Sequence, residues 1–112
     1  MKEVKAIIRH EKLEPVRDAL ETLGVPGMTI TEVKGFGHQR GYTETYRGAK
    51  TTVQFRPKIQ LMTVIEDELL DPVIEAIVAK ARTNEVGDGK IFITDIAQVR
   101  RIRTGEVGAP AL

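Results

Sequence analysis

The sequence predicts a single α+β domain with the ferredoxin-like order β-α-β-β-α-β, a sandwich in which two helices cover one face of a four-stranded antiparallel sheet. Two observations predict this fold. Four short segments are rich in β-branched or alternating apolar residues, and two longer segments carry apolar residues every three or four positions. A length of 112 residues is enough for one core but not for two, so residues 1–112 form one domain.

The first strand and the first helix are predicted within residues 4–24. Val4, Ala6 and Ile8 alternate with other residues, which is the pattern of a strand with one buried face. Residues 11–24 are typical of a helix, because apolar side chains three and four positions apart share one helix face. That face comprises Leu13, Val16, Leu20 and Leu23.

The same two patterns predict the remaining elements. Residues 28–33 and 58–65 are rich in apolar and β-branched residues, which favours strands. Three acidic residues then complement the dipole of a second helix, and an apolar stripe continues this helix to residues 81–82. Residues 91–96 form the last strand. Residues 100–112 make a C-terminal segment that is basic at first and then polar, and we expect its end to be flexible.

The composition argues against several classes of protein. Lys and Arg together number 17 and Asp and Glu 16, so the chain lacks the basic excess of a general nucleic-acid binder. Without cysteine, it can form neither a disulfide framework nor a thiolate metal site. No long apolar run indicates a secretory signal or a membrane span, so we expect a cytoplasmic protein.

The connection between the second and third predicted strands, residues 35–58, is far longer than a compact domain usually needs. It is polar, charged and punctuated by glycine. Such a length requires disorder, a wrong strand assignment or a binding role. We interpret this long loop as a binding loop with a ligand site at its base.

The second face of the predicted sheet has no helix to cover it, although apolar residues also alternate onto that face. An apolar face on a small domain usually marks an interface between subunits. We therefore expect a homo-oligomer that buries Ile7, Val33, Met62, Val64 and Phe92.

Two segments that flank the last strand could bind phosphate. In residues 82–90, glycines surround Asp88 and precede Lys90, an arrangement that can direct backbone N–H groups and an ammonium group at phosphate oxygens. Judged on this motif alone, an ordinary turn is favoured over a phosphate site. The basic run that includes Arg101 and Arg103 is more often a solvated patch, although arginine can also bind phosphate through two hydrogen bonds.

Gln39 and Lys58 lie near the two ends of the long loop. The Gln39 side chain offers a carbonyl oxygen, a donor type that Mg²⁺ accepts, and the Lys58 ammonium could neutralise a small carboxylate. Taken as isolated residues, both are expected to be ordinary surface side chains. His10 and His38 lack partners at metal-binding spacing, and no nucleophile is paired with a base, so neither a transition-metal site nor a catalytic set is predicted.

Seven short segments, spread along the chain at a consistent spacing, together resemble one known family. They are Gly27-Met28-Thr29, Thr31-Glu32-Val33-Lys34-Gly35-Phe36-Gly37, Gln39-Arg40-Gly41, Tyr46-Arg47-Gly48-Ala49, Pro57-Lys58, Gly87-Asp88-Gly89-Lys90-Ile91-Phe92 and Arg101-Ile102-Arg103-Thr104-Gly105-Glu106. Over essentially its whole length the chain resembles the PII-type nitrogen-regulatory signal-transduction proteins.

The resemblance implies a trimer that binds ATP or ADP in the clefts between subunits, and 2-oxoglutarate together with MgATP. The residues implied for the nucleotide are Thr29, Gly37, His38, Gln39, Val64, Gly87, Asp88, Gly89, Lys90, Arg101 and Arg103. Those implied for 2-oxoglutarate are Gly37, Gln39, Arg40, Gly41, Lys58 and Gly87. Gln39 would bridge Mg²⁺ and 2-oxoglutarate, and no residue is implied to be catalytic.

The resemblance also implies how the protein acts on its partners. Effectors at the base of the long loop favour different loop conformations, and partners select among them. The implied partner contacts are Tyr46, Arg47, Gly48 and Ala49, with Arg47 entering the pore mouth of an Amt-type ammonium transporter. Enzymes or regulators of nitrogen metabolism are the other implied partners, and the membrane is reached only through a transporter.

Several residues depart from the family pattern. Thr51 replaces the tyrosine that other members modify, and Ala49 replaces the serine phosphorylated in cyanobacterial members, so we expect neither modification. His38 stands where many members carry arginine, Met62 where many carry glutamate, and Arg40 where lysine is usual. We expect the first two changes to affect nucleotide affinity and the preference between ATP and ADP.

The leading interpretation is a non-enzymatic sensor that regulates other proteins. Three alternatives stay open: a slow ATPase on the same scaffold, a divergent regulator of another transporter or of a carbon-metabolism target, and an adaptor that has lost ligand control.

Overall fold

The computed structural model describes residues 1–36 and 55–112 in full and the backbone of residues 42–46 and 49–53. The strands are β1 (Lys2–Arg9), β2 (Thr29–Gly35), β3 (Tyr42–Tyr46), β4 (Ala49–Val53), β5 (Arg56–Ile65) and β6 (Lys90–Asp95). The helices are α1 (Leu13–Thr22) and α2 (Leu70–Ala81), and short 3₁₀ turns span His10–Lys12, Asp67–Leu69 and Ala109–Ala111.

The main sheet has the strand order β2-β5-β1-β6, and each neighbouring pair is antiparallel. β1 and β5 form its centre, where Lys2 pairs with Ile65 at one end and Arg9 pairs with Lys58 at the other. The two helices and one face of this sheet share one buried cluster. The structure therefore confirms the predicted ferredoxin-like α+β sandwich.

The core between the sheet and the helices is aliphatic, as the sequence predicts. Each fully buried side chain of this kind stabilises the fold by about 1.5–3 kcal/mol relative to an exposed one. Leu13 and Leu23, at the two ends of the predicted apolar helix face, are only partly buried. The buried cluster comprises Val4, Ala6, Ile8, Val16, Leu20, Ile59, Leu61, Ile65, Val73, Ile77 and Ala81.

The helices are shorter than the sequence predicts, because a 3₁₀ turn precedes each of them. α1 ends before Gly24, whose φ of 83° is the left-handed conformation that glycine adopts most readily. The N–H group of Val25 donates to the carbonyl of Leu20 and so satisfies one of the last helical acceptors. Among the described residues, no helix is both long and apolar enough to cross a membrane.

The sheet face opposite the helices carries the apolar residues that the alternation predicts. Met62 of β5 pairs across the sheet with Thr29 of β2 and with Lys5 of β1, and Lys5 pairs in turn with Phe92 of β6. These four side chains therefore share one face, because paired residues point to the same side of a sheet. Phe92 is half exposed in the single chain. The homo-oligomer that would cover this face stays a prediction.

The boundaries predicted for the long loop, residues 35–58, are too wide. Gly35 is the last residue of β2 and pairs with Arg56, and Lys58 lies inside β5 opposite Val33. The segment between these strands also contains an antiparallel two-stranded sheet, β3 and β4, which the sequence analysis did not predict. Immediately beyond the Gly35–Arg56 pair, the rings of Phe36 and Phe55 contact each other with centroids 5.9 Å apart.

The C-terminal segment is more structured than the expected flexible tail. Arg100 and Val107 form an isolated antiparallel bridge, and the N–H group of Arg101 donates to the carbonyl of Glu106 at 2.9 Å. The final 3₁₀ turn then buries Ala111. The backbone pairing folds the segment back on itself, and its final turn contains a buried side chain.

Candidate functional site

The candidate site lies where residues 82–90, which we call the phosphate loop, meet the ends of β1 and β5. The two central strands are antiparallel, so Arg9 at the end of β1 is paired with Lys58 near the start of β5. The fold therefore places two cations side by side at one end of the two central strands. Both donate hydrogen bonds to the phosphate loop.

Arg9 contacts the phosphate loop on both sides of Gly87. Its Nε donates to Oδ1 of Asp88 at 3.1 Å, and its Nη2 donates to the carbonyl of Val86 at 2.9 Å. The side chains of Arg9 and Asp88 are 17% and 25% exposed, so this ion pair is partly withdrawn from solvent. The sequence analysis missed Arg9, because no motif marks it. The only available signal was a basic residue at a strand end.

The Asp88 carboxylate is a brace inside the phosphate loop. Its Oδ2 accepts from the backbone N–H groups of Thr83 at 2.7 Å and Asn84 at 3.0 Å, and its Oδ1 accepts from the Thr83 hydroxyl as well as from Arg9. The hydrogen bonds from Thr83, first from its hydroxyl and then from its N–H, hold the pKa of Asp88 far below its usual range. Both carboxylate oxygens are thus used within the protein.

Lys58 is buried, with only 8% of its surface exposed, so its interpretation as an ordinary surface residue is wrong. Its Nζ donates to the carbonyl of Gly87 at 2.6 Å. Burial lowers the pKa of Lys58, and the charges of Arg9 and Arg56 lower it further. Such an ammonium group lies within reach of the phosphate loop and is well suited to a carboxylate partner.

The contacts of Arg9 and Lys58 determine where two backbone N–H groups point. The peptide bonds of the described residues are trans, and in a trans peptide the carbonyl and the N–H point in opposite directions. Since the carbonyls of Val86 and Gly87 point at Arg9 and Lys58, the N–H groups of Gly87 and Asp88 point away from these cations. Within the fully described ranges, neither N–H donates to a protein acceptor. Consecutive N–H groups of this kind can bind an anion.

The backbone of the phosphate loop requires glycine at its last turn. Asn84, Gly87 and Gly89 have φ values of 70°, 103° and 101°. A Cβ on Gly89 would also lie 1.7 Å from the carbonyl oxygen of Ile7, so the loop passes directly over β1. Lys90 follows as the first residue of β6 and pairs with Ile7.

The remaining site residues predicted for the sheet lie on the face opposite the helices. Thr29 pairs with Met62, and Val64 follows Met62 on the same face of β5 because side chains alternate along a strand. Lys58 lies on this face too, six positions before Val64. Thr29 and Val64, predicted for the nucleotide, thus share a face with Lys58 and with the start of β6.

The two arginines of the C-terminal segment are not joined to the phosphate loop by any hydrogen bond or ion pair that the described residues make. Arg101 Nη2 donates to the carbonyl of Leu112 at 2.9 Å, and its Nη1 lies 3.6 Å from Glu106. Arg103 is exposed. Within one chain, these arginines and the phosphate loop are separate groups.

Several predicted positions lie outside the residues described in full. For Gly37, His38, Gln39, Arg40, Gly41, Arg47 and Gly48 nothing is described, and for Tyr46, Ala49 and Thr51 only the strand backbone is described. The predicted roles of these residues therefore stay predictions. In the described part of the chain, no group of three or more His, Cys, Asp or Glu residues could hold a metal ion.

The chain is similar to a family of regulatory proteins along nearly its whole length. The sequence model of the family described as "Nitrogen regulatory protein P-II" matches residues 1–106. A "Nitrogen regulatory protein P-II" of Rhodobacter capsulatus is 53% identical and one of Cereibacter sphaeroides 50% identical, each over 112 residues and the whole of both chains. "Nitrogen regulatory protein P-II 1" of Escherichia coli (strain K12) is 52% identical over 106 residues, 95% of each chain.

Proposed function

The chain belongs to the nitrogen regulatory protein P-II family, and from this we propose that it is a non-enzymatic regulator that binds ATP or ADP at the phosphate loop. The observation that carries the proposal is the pair of N–H groups at Gly87 and Asp88 that point away from Arg9 and Lys58, with Lys90 following them as the first residue of β6. Backbone donors and a lysine side chain are the groups that bind nucleotide phosphates in other folds.

The same site has a place for a small dicarboxylate such as 2-oxoglutarate. Lys58 is a buried cation whose Nζ donates to the carbonyl of Gly87, and the carboxylate of a ligand bound at this position would be attracted to its charge. Gln39 would supply an oxygen to Mg²⁺, with phosphate and 2-oxoglutarate oxygens as its other ligands, since Mg²⁺ prefers oxygen donors. In this proposal 2-oxoglutarate binds with MgATP and not with ADP.

A trimer would complete the nucleotide site. The sheet face opposite the helices carries Thr29, Met62 and Val64, and neither helix of the described residues lies over it. Packing three such faces around the axis of a trimer would bury that apolar surface, and in this proposal Arg101 and Arg103 of one chain meet the phosphate loop of the next. Phosphate groups between these cations would offset the repulsion among them.

The partner-binding region is the hairpin formed by β3 and β4. Tyr46 and Ala49 form its last described pair, and residues 47–48 connect the two strands. We propose that Tyr46, Arg47, Gly48 and Ala49 contact an Amt-type ammonium transporter or an enzyme or regulator of nitrogen metabolism. The protein would then act in the cytoplasm and meet the membrane only through a transporter. With Thr51 in place of the modified tyrosine, small molecules alone would control this hairpin.

Hydrolysis of ATP is not favoured by the described residues. The Asp88 carboxylate, an acid of the phosphate loop, is held by Thr83, Asn84 and Arg9, and its lowered pKa makes it a poor base. A general base needs a pKa near the working pH and access to the attacking water.

The proposal is tested by calorimetric titration with ADP, with MgATP, and with 2-oxoglutarate in the presence of MgATP. The Lys90→Ala variant should raise the nucleotide Kd about tenfold, the scale of one charge-assisted hydrogen bond. Lys80→Ala is the control, because Lys80 is exposed on the outer side of α2. If neither nucleotide gives heat at millimolar concentration, the proposed function is wrong.

A further inference from the structure

We propose that Arg9 is the positioning residue of the phosphate loop, because its guanidinium group aims the N–H group of Gly87 at the anion and holds the side chain of Asp88, whose own N–H group is aimed by Lys58. This inference rests on the proposed nucleotide-binding function and deepens it. In this proposal the phosphate is touched by the backbone of the loop and by Lys90. The loop is shaped by a different residue, Arg9, which lies at the end of β1.

The geometry of Arg9 fits this role. One planar group donates to the carbonyl of Val86 and to the carboxylate of Asp88, which lie on either side of Gly87. The Val86 carbonyl belongs to the same peptide plane as the Gly87 N–H, so holding the carbonyl inward turns this N–H outward. Lys58 does the same for the next plane by holding the Gly87 carbonyl.

A lysine could not replace Arg9 in this position. The guanidinium group presents its donors in a rigid fork, whereas an ammonium group is a compact point charge that does not fix two acceptors at set angles. Lys58 already lies beside Arg9, and the pKa of Lys58 is lowered by burial and then by the Arg9 charge. The pKa of a second ammonium group at this position would be lowered in the same way, whereas a guanidinium group stays charged.

Asp88 completes the arrangement as the anchor of Arg9. Its carboxylate ties the start of the loop, at Thr83 and Asn84, to its end. The Arg9–Asp88 pair is partly buried, so removal of either partner leaves the other charge partly desolvated and without its ion-pair partner. Removal of Arg9 therefore frees the Val86 carbonyl and also disturbs the brace.

The first measurement uses no ligand. Backbone ¹⁵N–¹H spectra are recorded for the wild type, Arg9→Met, Arg9→Lys and the control Lys80→Met, with thermal unfolding of each to confirm that it is folded. We expect both Arg9 variants to shift the N–H signals of Gly87 and Asp88 and the control to leave them in place. Unchanged signals in a folded Arg9→Met variant would overturn the proposal, whether or not the protein binds nucleotide.

The second measurement is the ADP Kd by calorimetry. We expect Arg9→Met and Arg9→Lys each to raise the Kd by about tenfold or more, on the scale of one charge-assisted hydrogen bond. Wild-type affinity in Arg9→Lys would show that only the charge matters and would overturn the positioning role. Absence of ADP binding by the wild type would instead refute the proposed function.

Asp88→Asn provides a second route if Arg9→Met does not fold. Because Arg9 and Asp88 act through the same contact, the effects on the ADP Kd of Asp88→Asn and Arg9→Lys should be strongly non-additive in the double variant. Independent effects that add would contradict the inference.

Discussion

Gly89→Ala is expected to destabilise the protein far more than the same change at Gly24. Both glycines have a positive φ, 101° at Gly89 and 83° at Gly24, so each alanine must adopt a backbone conformation that it disfavours. They differ in their surroundings. A Cβ at Gly24 meets no atom within 4 Å, whereas a Cβ at Gly89 would lie 1.7 Å from the Ile7 carbonyl oxygen.

The two costs can be estimated separately. At Gly24 the strained conformation destabilises the folded state by about 1–2 kcal/mol. Alanine also makes the unfolded chain less flexible, which offsets about 0.4–1 kcal/mol of this loss. At Gly89 the same strain applies, and the loop must also move off β1. That movement disturbs the adjacent Ile7–Lys90 pair, and a lost hydrogen bond contributes about 0.5–1.5 kcal/mol. We expect Gly89→Ala to lose about 2 kcal/mol more than Gly24→Ala, from the sum of clash and lost pairing.

Urea unfolding followed by circular dichroism measures this difference. With an m-value of about 1–3 kcal/mol/M, about 2 kcal/mol shifts the midpoint by roughly 1 M. The two variants must be compared at one protomer concentration, because an oligomer unfolds at a concentration-dependent midpoint. Equal midpoints for the two variants would refute the contact between the phosphate loop and β1. Gly89→Ala should also lose ADP affinity, and Gly24→Ala should keep it.

Three further predictions concern ligands, pH and the C-terminal segment. Gln39→Ala should abolish calorimetric binding of 2-oxoglutarate and leave ADP binding largely intact, and equal loss of both would show that the pocket is wrongly assigned. The pKa of Asp88 is lowered in the folded protein, so its stabilising effect is present above its unfolded pKa of about 3.9 and is lost as the pH falls below that value. In the Asp88→Asn variant the free energy of unfolding should therefore depend less on pH below about pH 4. An unchanged midpoint of acid unfolding would contradict the bracing role of the Asp88 carboxylate. Because Arg101 donates to the Leu112 carbonyl, deletion of residues 109–112 should tighten ADP binding several-fold, and weaker or equal binding would mean that the tail does not compete for Arg101.

Most of the fold could be predicted from the sequence because its signals are local. The alternation of Val4, Ala6 and Ile8 and the apolar face of α1 each depend on residues a few positions apart, and the structure buries those residues. The β3–β4 hairpin could not be predicted in this way. Residues 42–53 include Tyr, Thr and Val residues that favour strands, but they lack the aliphatic alternation that marks the main sheet, and they lie inside the segment interpreted as a loop.

The candidate site was predictable only where a motif marks it. Glycines around Asp88 indicate a turn, and Lys90 beside them indicates an anion site, but neither shows that the Asp88 side chain faces inward. The contact that decides this joins residues 79 positions apart, Arg9 and Asp88. It depends on the register of β1 with β6, in which Ile7 pairs with Lys90, and on the path of the loop over β1. No sequence pattern encodes that distance.

Lys58 connects the phosphate loop with the base of the hairpin, and this position explains how one ligand could act on both. Its backbone lies two residues beyond Arg56, where the main sheet ends, and its Nζ holds the Gly87 carbonyl. A Cβ on Gly35 would lie 3.1 Å from the Lys58 side chain, so the glycine leaves room for that side chain to cross the strand. A carboxylate that binds Lys58 must share it with Gly87 or displace Gly87. In either case the binding free energy of the acid depends on whether a nucleotide occupies the phosphate loop. By thermodynamic necessity the binding free energy of the nucleotide depends equally on the acid. The sheet itself need not move, because a single buried side chain would contact both proposed ligands.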